Sequence, residues 1–159
     1  MKSITSEMLD ELEEKARTSP RLRSNLNIHI SASDPVQRYF IAAERDSYFR
    51  PHRHPDKSEF ALVIRGEFDV LMFDDNGSVT RRVTLGPDAG NAGVEMPANT
   101  WHTWIPISDR GVFFEVKQGP YDAASAAEFA PWSPEEGAAR AEEFVVRLRH
   151  AKPGDNVTD

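Results

Sequence analysis

The chain has 159 residues, 26 acidic and 19 basic, with a formal charge of −7 and no cysteine. That length suits one domain with a single core, and the charge argues against general affinity for nucleic acid, whose phosphates reward concentrated positive charge. Lack of cysteine excludes disulfides, thiolate ligands and cysteine nucleophiles, and with no membrane-length apolar run and no leader-like start the expectation is a soluble, cytoplasmic protein without a membrane partner.

In chain order, residues 6–18 place Met8, Leu12 and Ala16 four apart among acidic side chains, which predicts an amphipathic helix. Lys15 and Arg17 close it in the order that complements the helix dipole, and Ser19-Pro20 stops it. From about Ile28 to Val116 the pattern changes to period two. Tyr39–Ala43, Phe60–Ile64, Phe68–Phe73, Val79–Leu85, Gly93–Met96 and Gly111–Val116 are predicted strands, separated by the hairpin signal Asp74-Asp75-Asn76-Gly77 and the longer turn Gly86–Gly90. Short strands at this spacing indicate a sandwich or barrel. Ser133-Pro134-Glu135-Glu136 offers an N-cap, a first-turn proline and a capping-box acid, with Ala141, Phe144, Val145 and Leu148 as the apolar stripe of a second helix. The predicted layout is an N-terminal helix and connector over 1–27, a β-barrel over 28–121, a loop and packed helix over 122–150 and a flexible tail over 151–159.

The run Pro51-His52-Arg53-His54-Pro55-Asp56-Lys57-Ser58-Glu59 reads as a metal site. Histidines separated by one residue point the same way along a strand. Glu59 can arrive from the next strand and His102 from a distant one, making three imidazoles and a carboxylate. Such nitrogen and oxygen donors suit one divalent transition metal ion per chain, Fe, Mn, Ni, Zn, Co or Cu.

Two sequence patterns carry a family resemblance. His52-x-His54, four residues, Glu59, six residues, Gly66 resembles the first motif of the cupin superfamily, and Pro97, Asn99 and His102 resemble its second. Asp46 replaces the leading glycine of the first motif, Gly93 lies nearer Pro97 than usual, and Asn99 and Pro106 replace a glycine and an asparagine of the second. These departures touch turns, and asparagine tolerates the left-handed backbone better than most residues. Ser19–His29, Asp34–Arg38, Phe114–Tyr121 and Phe129–Trp132 further resemble the WbuC family of cupin-fold metalloproteins. The resemblance implies a mainly β, single-domain cupin, a double-stranded β-helix or jelly-roll barrel with a helix at each end, and a link to bacterial surface-polysaccharide metabolism. A homodimer is expected by analogy.

Around the metal, Arg21, Arg23, Asn25, Gln37, Arg38, Tyr48, Trp101 and Lys117 are the candidate ligand-binding residues, and His29 the candidate base. Arg38 leads because it shares a strand face with Phe40, which can point inward. Glu115 and Lys117 form a buried ion pair if their strand face is internal and are surface charges if it is external. Tyr48, Trp101, Trp104 and Tyr121 form either an aromatic rim for a sugar ring or core packing. The expected function is metal-dependent action on a small polar metabolite, a carbohydrate or keto acid, of isomerase, lyase or dioxygenase class. The alternatives are a non-catalytic metal-anchored binding or regulatory cupin, and a sugar isomerase or epimerase on the same barrel.

Overall fold

The structure is a computed structural model, described for residues 1–158. One sheet has the order β1 (Arg23–Asn27), β2 (Val36–Glu44), β9 (Arg110–Gln118), β4 (Glu59–Arg65), β7 (Gly93–Met96). The facing sheet has the order β10 (Glu128–Phe129), β3 (His52–Arg53), β8 (Trp101–Pro106), β5 (Phe68–Phe73), β6 (Val79–Leu85). Helix α1 (Ser6–Thr18) lies on the first sheet, and α2 (Ala141–His150) packs with residues of the second. No helix of the described residues is long and apolar enough to cross a membrane.

Burial comes in three layers. Between the sheets, Phe68, Trp104 and Phe113 form the centre of the core, with Trp104 stacked on Phe113 at 4.2 Å between ring centroids. Outside the first sheet, Leu9, Leu12 and Ala16 of α1 cover Ala42 and Val112. Outside the second, Phe144 and Leu148 of α2 cover Leu71, Phe73 and Ile105. A strand buried on both faces must be apolar at successive positions, which explains Phe68-Asp69-Val70-Leu71-Met72-Phe73. Its one carboxylate, Asp69, accepts hydrogen bonds from Arg82 and from Thr84 of the neighbouring strand.

Local chemistry sets the element ends. The Thr5 side chain caps α1 by accepting from the Met8 amide, and Arg65 of β4 clamps the helix through Asp10 and Glu13. In the β5–β6 turn the Asp74 carboxylate accepts from the amides of Asn76 and Ser78, while Gly77 takes the left-handed conformation. Asn99 also has positive φ, so it meets the backbone demand at the turn that leads to His102.

Three boundaries differ from the sequence expectation. The predicted connector contributes β1, so the first sheet begins at Arg23. The last helix begins at Ala141 instead of after Ser133: the Ser133 hydroxyl donates to Ala130 O and accepts from Arg50, and Gly137 adopts a left-handed φ of 78°. The predicted tail is packed. Gly154 and Val157 donate backbone hydrogen bonds to Val79 and Gly77, and Val157 is fully buried; Asp159 lies outside the described residues.

Val157→Ala is therefore expected to lower unfolding free energy by about 2 kcal/mol, from lost burial and the residual cavity. Urea denaturation checks this, since a detached tail would leave the midpoint unchanged.

Candidate metal centre

His52 and His102 sit opposite each other in the β3–β8 pair, and His54 follows two residues along the chain, on the same side. Glu59 opens β4 across the barrel. The side-chain alternation of β8 that turns Trp104 into the core turns His102 inward too. His54, His102 and Glu59 are almost fully buried, and one ring nitrogen from each histidine lies within 4.8 Å of the other two.

The second nitrogen of each ring decides what the cluster can do. The Nδ1 atoms of His52, His54 and His102 lie 3.0, 2.5 and 2.8 Å from the carbonyl oxygens of Arg50, Ala126 and Thr100. A carbonyl only accepts, so each Nδ1 carries the proton and, in the neutral ring, each Nε2 keeps a lone pair.

Glu59 brings one carboxylate oxygen to 3.0 Å from the Nε2 of His54 and the other to 3.0 Å from the Nε2 of His102. These contacts have ion-pair distance without hydrogen-bond angles, and both nitrogens and Glu59 Oε2 are buried without a hydrogen-bond partner. Lone pairs facing at this separation repel unless a cation lies between them. Two ligands each about 2.1 Å from one ion and at right angles lie about 3.0 Å apart. The donors therefore fit a divalent transition metal, with the backbone carbonyls orienting the rings as is usual around bound ions.

Without an ion, burial opposes charge on every member. Burial, reinforced by His102, holds the His52 pKa well below its ordinary value. Burial opposes charge on His102 and Glu59 as well, but their mutual attraction raises the pKa of His102 and holds that of Glu59 well below the usual carboxylate range.

Glu115 and Lys117 face the barrel interior. Lys117 Nζ forms an ion pair with Glu115 Oε1 at 2.9 Å, the Tyr39 hydroxyl donates a hydrogen bond to the same oxygen, and Lys117 is in register with Glu59. Burial and the Glu59 charge push the Glu115 pKa up. Burial disfavours the Lys117 ammonium, but the two carboxylates raise its pKa and keep it charged.

Beside the histidines lies a passage of about 180 Å³, lined among others by Arg21, Arg23, Phe49, His52, His54 and Lys117. Arg21, Arg23, Phe49 and Lys117 also line a larger cavity of about 670 Å³, which reaches Asn25, His29 and Gln37. Seven sequence candidates thus gather near the metal ligands or in the adjoining space: His29, Arg21, Arg23, Asn25, Gln37, Lys117 and Tyr121. Asn25 donates to Asn27, and Gln37 holds the preceding loop by donating to Asp34 O. His29 is anchored through Nδ1 to the Arg38 backbone.

Other candidates lie elsewhere. Arg38 does share its face with Phe40, but that face is external: Phe40 packs under α1, and Arg38 reaches toward Asp34 at 3.8 Å. Trp101 is turned outward with the α2 layer, donates to Asp75 and lies beneath Arg53. Tyr48 packs edge-on against Phe144 and donates to Pro134 O, and Trp104 belongs to the core. An aromatic rim of four is therefore absent; Tyr121 alone of that set lines the large cavity. Tyr39, Phe49 and Glu136 are the additions. Tyr39 alternates with Gln37 and Ile41 on the inner face of β2, but its partnership with Glu115 depends on β2–β9 register, which a single sequence does not display.

Fold and donor set together define a jelly-roll barrel of the cupin type of fold, with a histidine cluster suited to a metal ion. The profile of a family described as a domain of unknown function (DUF6016) matches residues 4–85, more than half of the chain. The chain belongs to that family. The match contains His52, His54 and Glu59 and ends before His102.

Solved structures share the architecture. An oxalate oxidase in complex with glycolate is 14% identical with a TM-score of 0.56, over 72% of this chain and 58% of its own. KdgF from Halomonas sp. is 14% identical with a TM-score of 0.51, over 67% of this chain and 87% of its own. The capsular polysaccharide assembling protein CapF from Staphylococcus aureus is 16% identical with a TM-score of 0.56, over 70% of this chain and 32% of its own. At these identities the likeness carries the fold. Among curated proteins there is no match.

Lys117→Met should destabilise the protein by about 3 kcal/mol near neutral pH, because it strips a buried carboxylate of its cation. The Glu115 pKa, already raised, rises further in the variant. Its added cost therefore shrinks as pH falls and the carboxyl takes up a proton in both folded and unfolded chains. Urea unfolding at several pH values, with Glu115→Gln in a double-mutant cycle, measures the coupling.

Proposed function

We propose that the protein is a mononuclear metal-dependent cupin acting on a small, oxygen-rich anionic metabolite, a sugar derivative or keto acid. The observation that carries this reading is the set of three Nδ1–H to carbonyl bonds, which leaves three ring lone pairs clustered together, two of them 3.0 Å from the Glu59 carboxylate, beside a cavity lined with cationic groups. His52, His54, His102 and Glu59 would hold the ion, which when bound supplies a Lewis acid able to polarise a ligand oxygen.

The chain's own groups divide the remaining work. Lys117 presents a positive charge to an anionic ligand. The Tyr39 hydroxyl donates to Glu115 Oε1, which sets a proton donor next to Lys117. Phe49 and Ile41 supply apolar wall that limits water around the reacting end. His29, in the larger cavity, is a base for a ligand that extends that far.

The sequence resemblance to WbuC proteins, together with the printed description of CapF as a capsular polysaccharide assembling protein, supports a surface-polysaccharide context. A cytoplasmic location and a homodimer complete the proposal.

Untagged protein should carry about one divalent transition ion per chain by plasma mass spectrometry, and His54→Ala or His102→Ala should weaken its binding more than about 100-fold, exceeding the usual effect of losing a supporting partner. Protons compete for the same nitrogens. Because the pKa of His102 is raised in the ion-free site, affinity should begin to fall above the ordinary histidine value of about 6.5 as pH is lowered. Stoichiometry unaffected by His54→Ala would refute the ligand set; turnover in ion-free protein would refute metal dependence.

A further inference from the structure

The passage beside the histidines has an imbalance of charge. Arg21, Arg23, Arg50 and Lys117 line it against one carboxylate, Glu136, in a chain whose formal charge is −7. Glu136 spans the arginine pair: Arg21 donates from Nε and Nη2 to its two oxygens at 2.7 and 3.0 Å, and Arg23 donates a hydrogen bond from Nη2.

We propose that Arg21 and Arg23 form a carboxylate-binding subsite beside the metal centre, and that Glu136 holds its place until a ligand carboxylate displaces it. Arg23 is prepared for that role. Its Nη1 donates to Tyr48 O at 2.6 Å and its guanidinium lies 4.6 Å from the centre of the Phe49 ring, so one edge is fixed while Nη2 faces the passage. Arg21 supplies the planar fork that matches a carboxylate.

Glu136 is carried by a segment outside any helix or strand, between β10 and α2. Gly137 follows it at φ 78°, with nothing within 4 Å of the position a Cβ would occupy. Backbone freedom at this glycine gives the carboxylate a hinge on which to leave. No metal ligand is disturbed by that movement, because Glu136 bonds to the arginines.

The ligand class follows from the spacing of chemistry along the passage: a carboxylic acid carrying hydroxyl or carbonyl oxygens, its carboxylate on the arginines and another oxygen directed to the histidine cluster. The larger cavity, which shares Arg21, Arg23 and Lys117, leaves room for a chain of several carbons. The second contact rests on the metal-dependent reading above; the carboxylate contact does not.

Calorimetry with gluconate, and with sorbitol as its uncharged counterpart, tests the subsite on both metal-free and metal-loaded protein. Glu136→Gln removes the competing charge and keeps the side chain's shape. If Glu136 occupies the arginines about nine-tenths of the time, the variant should bind gluconate roughly tenfold tighter than wild type in both forms, with sorbitol and metal affinity unchanged. Arg21→Gln in the Glu136→Gln background should reverse most of the gain. Thermal melting checks folding, with Glu136→Ala as the replacement if Glu136→Gln melts early. Unchanged, weaker or absent gluconate binding in the folded variant overturns the proposal, as does an equal gain for sorbitol. Failure of the wild-type protein to bind any divalent transition ion would sink the metal reading, and the gluconate gain in that protein would leave the subsite standing.

Discussion

The centre of this barrel depends on where three protons sit. His52 and His102 each place Nδ1 against the carbonyl two residues earlier, Arg50 and Thr100, so one local device is used on both members of a strand pair in direct register. His54 cannot repeat it and takes Ala126 O from a distant segment. That segment is held by β10, where Phe129 pairs with His52 and Glu128 accepts a two-point contact from Arg53. The third ring is thus oriented by the chain that returns after the barrel is built. Had any Nδ1 lacked its acceptor, the proton could move to Nε2 and the lone pair would be lost to the cluster.

A polar centre of this kind needs an apolar frame to hold it. The barrel interior gives up volume to three imidazoles, two carboxylates and an ammonium, so part of the chain's hydrophobic burial is moved to the outer faces. Helices α1 and α2 supply it, each covering one sheet. The packed C-terminal segment extends the second layer through Val157. Between the sheets, the Phe68, Trp104 and Phe113 cluster fills the rest of the interior with flat surfaces in contact, where shape complementarity matters most.

Features encoded by neighbouring residues were legible in the sequence. Helix α1 and strands β5, β6 and β7 have the ends that periodicity and turn residues indicate, and the His-x-His spacing places two rings together. Features encoded by register or competition were not. Ser133 looks like an N-cap until Arg50 and Ala130 engage it; Arg38 looks inward until α1 occupies its face. The Trp101 orientation was accessible: period two in β8 means that an inward His102 requires an outward Trp101. Glu136 read as a capping-box acid because nothing local reveals that Arg21 and Arg23 lie across from it.

Charge links these parts into an order of events. With neutral imidazoles, the buried groups Glu59, Glu115 and Lys117 leave an excess of negative charge, which a low-dielectric interior makes costly. That excess favours a cation at the histidines. A divalent ion reverses the local sign, and the reversed field then adds to that of Arg21, Arg23 and Lys117 along the passage. Glu136 can offset only part of it from the arginine end. On the function and subsite proposed above, the site draws a cation first and an anion second, so metal occupancy should raise affinity for an acidic ligand even where the acid's carboxylate touches only the arginines. Reciprocity requires that the acid tighten the metal by the same factor.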